Sequence, residues 1–280
     1  MERLASGFGL VEGPVVDPDG SLVFSDVPGG GVHRLRPDGT VEEVIPHRRG
    51  IGGIARHAEG GYVISGRNVS WKRPDGETVV LLDRQHEGMS FNDLTTDPDG
   101  RVYVGSLLFN PLDGSSGPRE KGDLYLIDVD GSTRVVHGDV SLTNGLGVSP
   151  DGTALFHSDT DAHAVWRYDR AADGSLSNRR PLYQDAGADP DGLAVAADGS
   201  VWIAMASSGE VVGVAADGSV VERIPVEVPM VTSVCFGGAG LTDLFVVTGD
   251  RGAPKDVGAA IYRTPAPTPG LPVADARVRP

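Results

Sequence analysis

Glu12, Asn92, Asn144 and Asp191 share one spacing: each stands eight residues before a glycine at a strand–turn–strand junction, namely Gly20, Gly100, Gly152 and Gly199. Asn-Asp, Asn-Gly and Asp-Gly are common turn pairs, so three of the four have an ordinary local reason to be there. Glu12, in LVEGPVV, has none. A carboxylate among apolar residues is costly unless something neutralises it, and two that converge also repel. The equivalent positions before the turn glycines Gly60 and Gly240 are Gly52 and Thr232, so no Lys or Arg meets these acids in the series. A divalent cation would. The donors are all oxygen, which suits calcium first, then magnesium or manganese, with zinc admissible. The expected metal ligands are Glu12, Asn144 and Asp191, with Asn92 touching the metal or a bound water. Three protein ligands leave positions open, as catalytic metal sites do.

Such residues converge only if the chain repeats. Six strand–turn–strand units recur: GPVVDPDG/SLVFSD, GIARHAEG/GYVISG, DLTTDPDG/RVYVGS, GLGVSPDG/TALFHSD, GLAVAADG/SVWIAM and SVCFGGAG/LTDLFVV. Their turn glycines are 40, 40, 52, 47 and 41 residues apart. A third strand, an Asp-Gly turn suited to a hairpin and a fourth strand follow in most units. This predicts an all-β fold, a six-bladed β-propeller with four-stranded antiparallel blades around a central channel. The six spaced positions then form one ring at one mouth of that channel. Residues 1–280 are expected to be a single domain. The last unit lacks a clear fourth strand, so ERLASGF near the N-terminus is expected to supply it and close the ring, because an open ring would leave an unpaired edge. The Pro-rich stretch 265–280 is expected to be a packed or frayed tail.

Composition narrows the function. A formal charge of −15 and a pI near 4.7 argue against nucleic acid and anionic membranes as partners. Much of the negative charge sits in Asp-Gly turns and reads as a solvated surface. Cys235, the one cysteine, reads as an inert core thiol. No signal peptide is seen, and no apolar run approaches the roughly 20 residues that span a bilayer. The expectation is a cytoplasmic protein, monomeric or a small homo-oligomer, acting on a small molecule. No G-x-S-x-G elbow, phosphate loop, dinucleotide fingerprint, paired CxxC or H-E-x-x-H pattern occurs.

VEGPVV around Glu12, FNDLTTDPDGRVYVGS around Asn92, TNGLGVSPDG around Asn144 and DPDGLAVAADGSVWIA around Asp191 resemble the SMP-30/gluconolactonase/luciferin-regenerating-enzyme family of six-bladed propellers. The resemblance covers nearly the whole chain. It implies that Glu12, Asn144 and Asp191 hold a divalent metal, that Asn92 binds substrate or completes the site, and that Asp191 is the catalytic base. Sugar-lactone members typically carry Arg at the position held here by Ser90, and an aromatic where this chain has Val15-Val16. Sugar recognition is therefore altered.

The longest insertion, residues 107–121, should lie over the same mouth and form a lid. Its apolar start, Leu107-Leu108-Phe109, favours a substrate less polar than a sugar, so Ser90 and Leu107 join Asn92 as expected substrate-binding residues. Loop 249–258 should reach the same face and offer Arg251 or Lys255. The expected activity is hydrolysis of a lactone or related cyclic ester by metal-activated water. The alternatives are another propeller reaction (aryl ester or phosphoester hydrolysis, condensation or cyclisation) or a non-catalytic metal-binding propeller.

Overall fold

The Asp-Gly turns fold the chain. At Asp19, Asp38, Asp75, Asp130, Asp151, Asp173, Asp198 and Asp217 a carboxylate oxygen accepts the N–H two residues on, at 2.9–3.0 Å. The turn glycines take positive φ, as at Gly39 and Gly218. Hydrogen bonds to Thr40, Ser132, Ser175 and Ser219 hold the carboxyls of Asp38, Asp130, Asp173 and Asp217 below their ordinary range. Eight of the chain's 39 acidic residues thus lock hairpins.

In the computed structural model, which describes residues 1–113 and 119–280, these turns join 24 strands. The first, β1 (Glu2–Phe8), belongs to the last blade. Blade one is β2 (Val11–Val16), β3 (Leu22–Asp26), β4 (Val32–Leu35) and β5 (Val41–Ile45). Blade two is β6 (Ile54–Arg56), β7 (Tyr62–Ile64), β8 (Val69–Lys72) and β9 (Thr78–Leu82). Blade three is β10 (Ser90–Thr96), β11 (Val102–Leu107), β12 (Gly122–Ile127) and β13 (Thr133–Val140). Blade four is β14 (Thr143–Val148), β15 (Ala154–Asp159), β16 (Ala164–Arg170) and β17 (Leu176–Gln184). Blade five is β18 (Pro190–Val195), β19 (Val201–Met205), β20 (Glu210–Val214) and β21 (Val220–Pro225). Blade six is β22 (Val231–Gly237), β23 (Asp243–Thr248) and β24 (Ala259–Pro265), with β1 as its outer strand.

Each blade is a four-stranded antiparallel sheet, and neighbouring inner strands touch in sequence around the ring, β22 meeting β2. The fold is a six-bladed β-propeller. β1 pairs with β24 from Glu2↔Arg263 to Phe8↔Ala259, so the first strand fastens the last blade and leaves no open seam. Apolar side chains fill the spaces between blades. Between blades two and three, Trp71, Phe91 and Tyr125 are nearly fully buried, and the last two rings meet edge-on at 5.9 Å. Burying each such side chain stabilises the fold by about 1.5–3 kcal/mol.

The stretch after β24 is packed. Ala197 N–H donates to Pro269 O at 2.9 Å, Ala276 N–H to Arg56 O at 2.8 Å and Arg277 N–H to Gly100 O at 2.8 Å. Among the described residues, no helix is long and apolar enough to cross a membrane.

Candidate functional site

Inner-strand side chains of a propeller point toward the neighbouring blades, so a residue must be re-aimed to face the channel. Bulges do this. In β10, Phe91 pairs with Ser106 and Leu94 with Val104, so Asn92 and Asp93 together oppose Gly105. In β14, Asn144 and Gly145 oppose Ser158, and in β18, Asp191 and Gly192 oppose Ala204. In β2 the extra residues are Gly13 and Pro14, directly after Glu12, and Gly13 takes φ +57°. Asn92, Asn144 and Asp191 therefore occupy equivalent irregularities on three inner strands, and Glu12 stands immediately before the one on β2.

A hydrogen-bonded chain fixes the two carboxamides. Asn92 Nδ2 donates to Thr143 O at 2.7 Å and to Asn144 Oδ1 at 2.8 Å. Asn144 Nδ2 donates to Thr160 Oγ1 at 2.8 Å, and that hydroxyl donates to Pro190 O at 2.7 Å, beside Asp191. Thr143 is held in turn by the fully buried His157, whose Nε2 lies 3.0 Å from its Oγ1. Burial pushes the His157 ring down to about 3, so it stays neutral. Gly52 makes room: a Cβ there would sit 2.1 Å from Asn92 Oδ1. Ser65 Oγ accepts the Gly52 and Gly53 N–H groups at 3.2 and 2.9 Å and holds that backbone in place. Thr232 has a different task, its hydroxyl donating to Val11 O at 2.6 Å and tying blade six to blade one.

The carboxylates are electrostatically unhappy. Burial, with Asp191 and Asp93 nearby, pushes Glu12 well above the usual carboxylate range, although the Gly13 N–H partly offsets this. Burial and then Asp93 do the same to Asp191, opposed by the Gly192 N–H and the exposed Arg251. Asp191 is 6% exposed, and its Oδ1 is buried without a hydrogen-bond partner. Asp93 is the group that counting by turns overlooks. Burial pushes it up to about 7, against the Leu94 N–H that donates to its Oδ1 at 2.8 Å. The signal was present in the Asn-Asp pair, since a two-residue bulge turns both side chains of a pair off the sheet.

Among the described residues no three His, Cys, Asp or Glu side chains gather at metal-binding spacing. The candidate set is two carboxylates plus carboxamides, and its buried orphan oxygen at Asp191 has the chemistry a hard cation satisfies.

The remaining expected residues take varied positions. Ser90 is half-buried and pairs with Leu107, which is buried at 4% exposure. The expected lid, 107–121, includes 114–118, which lie outside the described residues. On its flanks, Arg119 pairs with Asp161 at 3.0 Å and stacks over Phe109 at 4.5 Å. Val15 and Val16 line the opposite half of the channel, away from this mouth. Asp159 accepts the Ser141 and Leu142 N–H groups at 3.0 and 2.9 Å, a loop-holding role. Cys235 is half-buried: it packs against the core between blades one and six, as the expected inert core thiol does, and it also reaches the channel wall; burial pushes its thiol well above the ordinary range.

Comparison with known proteins now has a site to bear on. A family model described as the SMP-30/gluconolactonase/LRE-like region matches residues 10–250. The chain is 33% identical over 236 residues to 6-deoxy-6-sulfogluconolactonase of Pseudomonas putida, covering 81% of this chain and 78% of that one. It is 30% identical over 290 aligned positions to a pentonolactonase of Haloferax volcanii, covering 96% and 95%. The solved structure of a calcium-binding protein, regucalcin, from Agrobacterium tumefaciens superposes with a TM-score of 0.85 at 20% identity, covering 99% and 97%, and so supports the fold. The matched span includes all four ring residues, and the chain belongs to the SMP-30/gluconolactonase/LRE-like family.

Proposed function

We propose that this protein is a hydrolase that opens a lactone with the help of one divalent cation held by Glu12, Asn144 and Asp191. The observation that carries the reading is the buried, unpartnered Asp191 Oδ1 beside two further acids whose protons are hard to remove. The naming of two relatives as lactonases, and of a structural neighbour as calcium-binding, supports the reaction and calcium as first choice. When bound, the cation supplies Lewis acidity toward an ester carbonyl and neutralises the acids.

The chain's own residues do the rest. Asp191 accepts the proton of the attacking water, a role open to a carboxylate within reach of it. Asn92 has both amide hydrogens committed to Thr143 and Asn144, which leaves its Oδ1 as an acceptor. Asn92 therefore orients the water rather than donating to the substrate carbonyl. Ser90, in place of a guanidinium, offers no fork for sugar hydroxyls, and Leu108-Phe109 begins the loop that follows Leu107, the last residue of β11. Both support a substrate less polar than a sugar lactone.

Turnover of aliphatic, aromatic and sugar lactones, an aryl ester and a phosphoester, each with and without chelator, tests this. At least one lactone should be opened, with activity lost to chelator and restored by calcium, magnesium or manganese. Chelator-insensitive lactone hydrolysis, or turnover confined to the aryl ester or phosphoester, would overturn it.

Gly52→Ala supplies a local test, because the new methyl must push Asn92 Oδ1 aside. A displacement of that order is expected to lower kcat about tenfold or more while leaving the fold intact. Unchanged kcat would remove Asn92 from the mechanism.

A further inference from the structure

A cavity of about 850 Å³ occupies the half of the channel beyond the carboxylate ring, on the side away from the candidate mouth. It starts at Gly13, Asp93 and Ser233, one residue past the ring positions, and follows the inner strands down to the Asp-Gly turns. Its far end is bounded by residues 271–274 of the C-terminal stretch. That stretch crosses the opening from one side of the ring to the other. Leu271 N–H donates to Val195 O on blade five at 2.9 Å. The Thr96 hydroxyl on blade three donates to Ala274 O, and Asp275 pairs with Arg56 on blade two at 2.8 Å. Pro272 and Val273 span between these anchors, with Val273 56% exposed. The crossing narrows this end without filling it.

The walls define what the cavity would accept. Val15, Leu94, Val148, Val195, Cys235 and Phe236 contribute apolar surface. The charged groups that line it, Asp93 apart, already have partners. Asp17 accepts the Tyr62 hydroxyl at 2.6 Å and pairs with Arg34 at 3.2 Å. Asp19 accepts the Ser21 N–H at 2.9 Å, and Arg56 holds Asp275. A charged guest would find no free counter-charge at the far end. A few hydrogen bonds are available, because every inner strand ends its sheet and turns one backbone edge to the channel. The volume falls within the roughly 300–1,000 Å³ of small-molecule pockets, which combine apolar walls with a few polar groups.

The geometry points to a second binding pocket, separate from the lactone mouth, for a small, uncharged, mainly apolar molecule with one or two hydrogen-bonding groups. Entry is beside the Leu271–Ala274 crossing. The one thiol of the chain lies on the wall, where burial holds it well above its ordinary range, so its slow alkylation, followed over hours at pH 9, reports occupancy without any mutation.

N-phenyl-1-naphthylamine, uncharged and fluorescent in apolar surroundings, is the probe. It should bind saturably, and a saturating lactone should not displace it. Bound dye should slow the reaction of Cys235 with N-ethylmaleimide about tenfold or more, the extent set by its affinity, whereas the lactone should not. Cys235→Trp, which projects an indole into part of the cavity, should weaken the dye about tenfold or more and spare lactone turnover, while Cys235→Ser preserves both. Absence of saturable binding, displacement by the lactone, or unprotected Cys235 under saturating dye would each overturn the assignment. The thiol protection is read on the native chain, so misfolding of the Trp variant leaves the test intact. Loss of lactone turnover in the native protein would strike only the proposed activity.

Discussion

Asp191→Ala should abolish turnover and tight cation binding together. The residue has two duties in the proposed reaction, as a ligand and as the acceptor of the water proton. Loss of a positioned general base alone lowers rates by about 10²–10⁴-fold, and loss of a charged ligand compounds it. Asp191→Asn separates the duties, since it keeps an oxygen at the site but removes the charge and the basicity. It should bind the cation weakly, by calorimetry, and still fail to turn over. A third outcome follows from burial. Without cation, the wild-type chain keeps a buried acid at 6% exposure beside Glu12 and Asp93, so the Asn variant, which removes that charge, should be the more stable in chelator at pH 8. Undiminished turnover by Asp191→Ala would sink the mechanism.

The same residues show where sequence reasoning stops. Spacing from the turn glycines finds Glu12, Asn92, Asn144 and Asp191 because a propeller repeats one geometry in every blade, and a fixed offset from a hairpin is a fixed height in the channel. An offset returns one position per blade. The bulge in β10 presents two, which is why Asp93 escaped notice beside Asn92. The supports of the carboxamides escaped for another reason. Thr160 and His157 sit 16 and 14 residues from the groups they hold, Asn144 and Thr143, and no periodicity links a strand to the loop packed beside it. The sequence shows Gly52 as a ring position without a cationic side chain, but not that the missing side chain is the space Asn92 uses. The crossing of the far opening by residues 271–274 joins blade five to blades two and three, a contact of long sequence separation with no local signature. The N-terminal closure was legible because five complete blades define what the sixth lacks.

Raising the pH should destabilise the cation-free protein, and cation should reverse the trend. Glu12 and Asp191 are pushed well above their ordinary range by burial, and Asp93 up to about 7. A raised carboxyl means that the native state keeps protons the unfolded chain has released above about pH 4. Stability from these groups is therefore present at low pH and lost as pH climbs through the folded values, by up to about 1.4 kcal/mol per pH unit for each group titrating. His157 acts in the opposite sense: its folded value of about 3 costs stability as pH falls through the unfolded value near 6.5. His57 and His137, held below their ordinary range by burial, act in the same sense as His157. Between pH 7.5 and 8.5 all three rings are largely neutral in both states, so the acids act almost alone. In chelator, Tm should fall across this window. With saturating calcium the acids are held ionised, and Tm should be flat or rise, because proton and cation compete for the same oxygens. The gap between the two curves should widen with pH. Glu12→Gln should shallow the chelator slope and shrink the gap, since it removes one titrating acid and one ligand at once. A Tm in chelator that holds steady or rises from pH 7.5 to 8.5 would show that Glu12 and Asp191 carry no protons there, and with that the electrostatic case for a cation at the ring would fail.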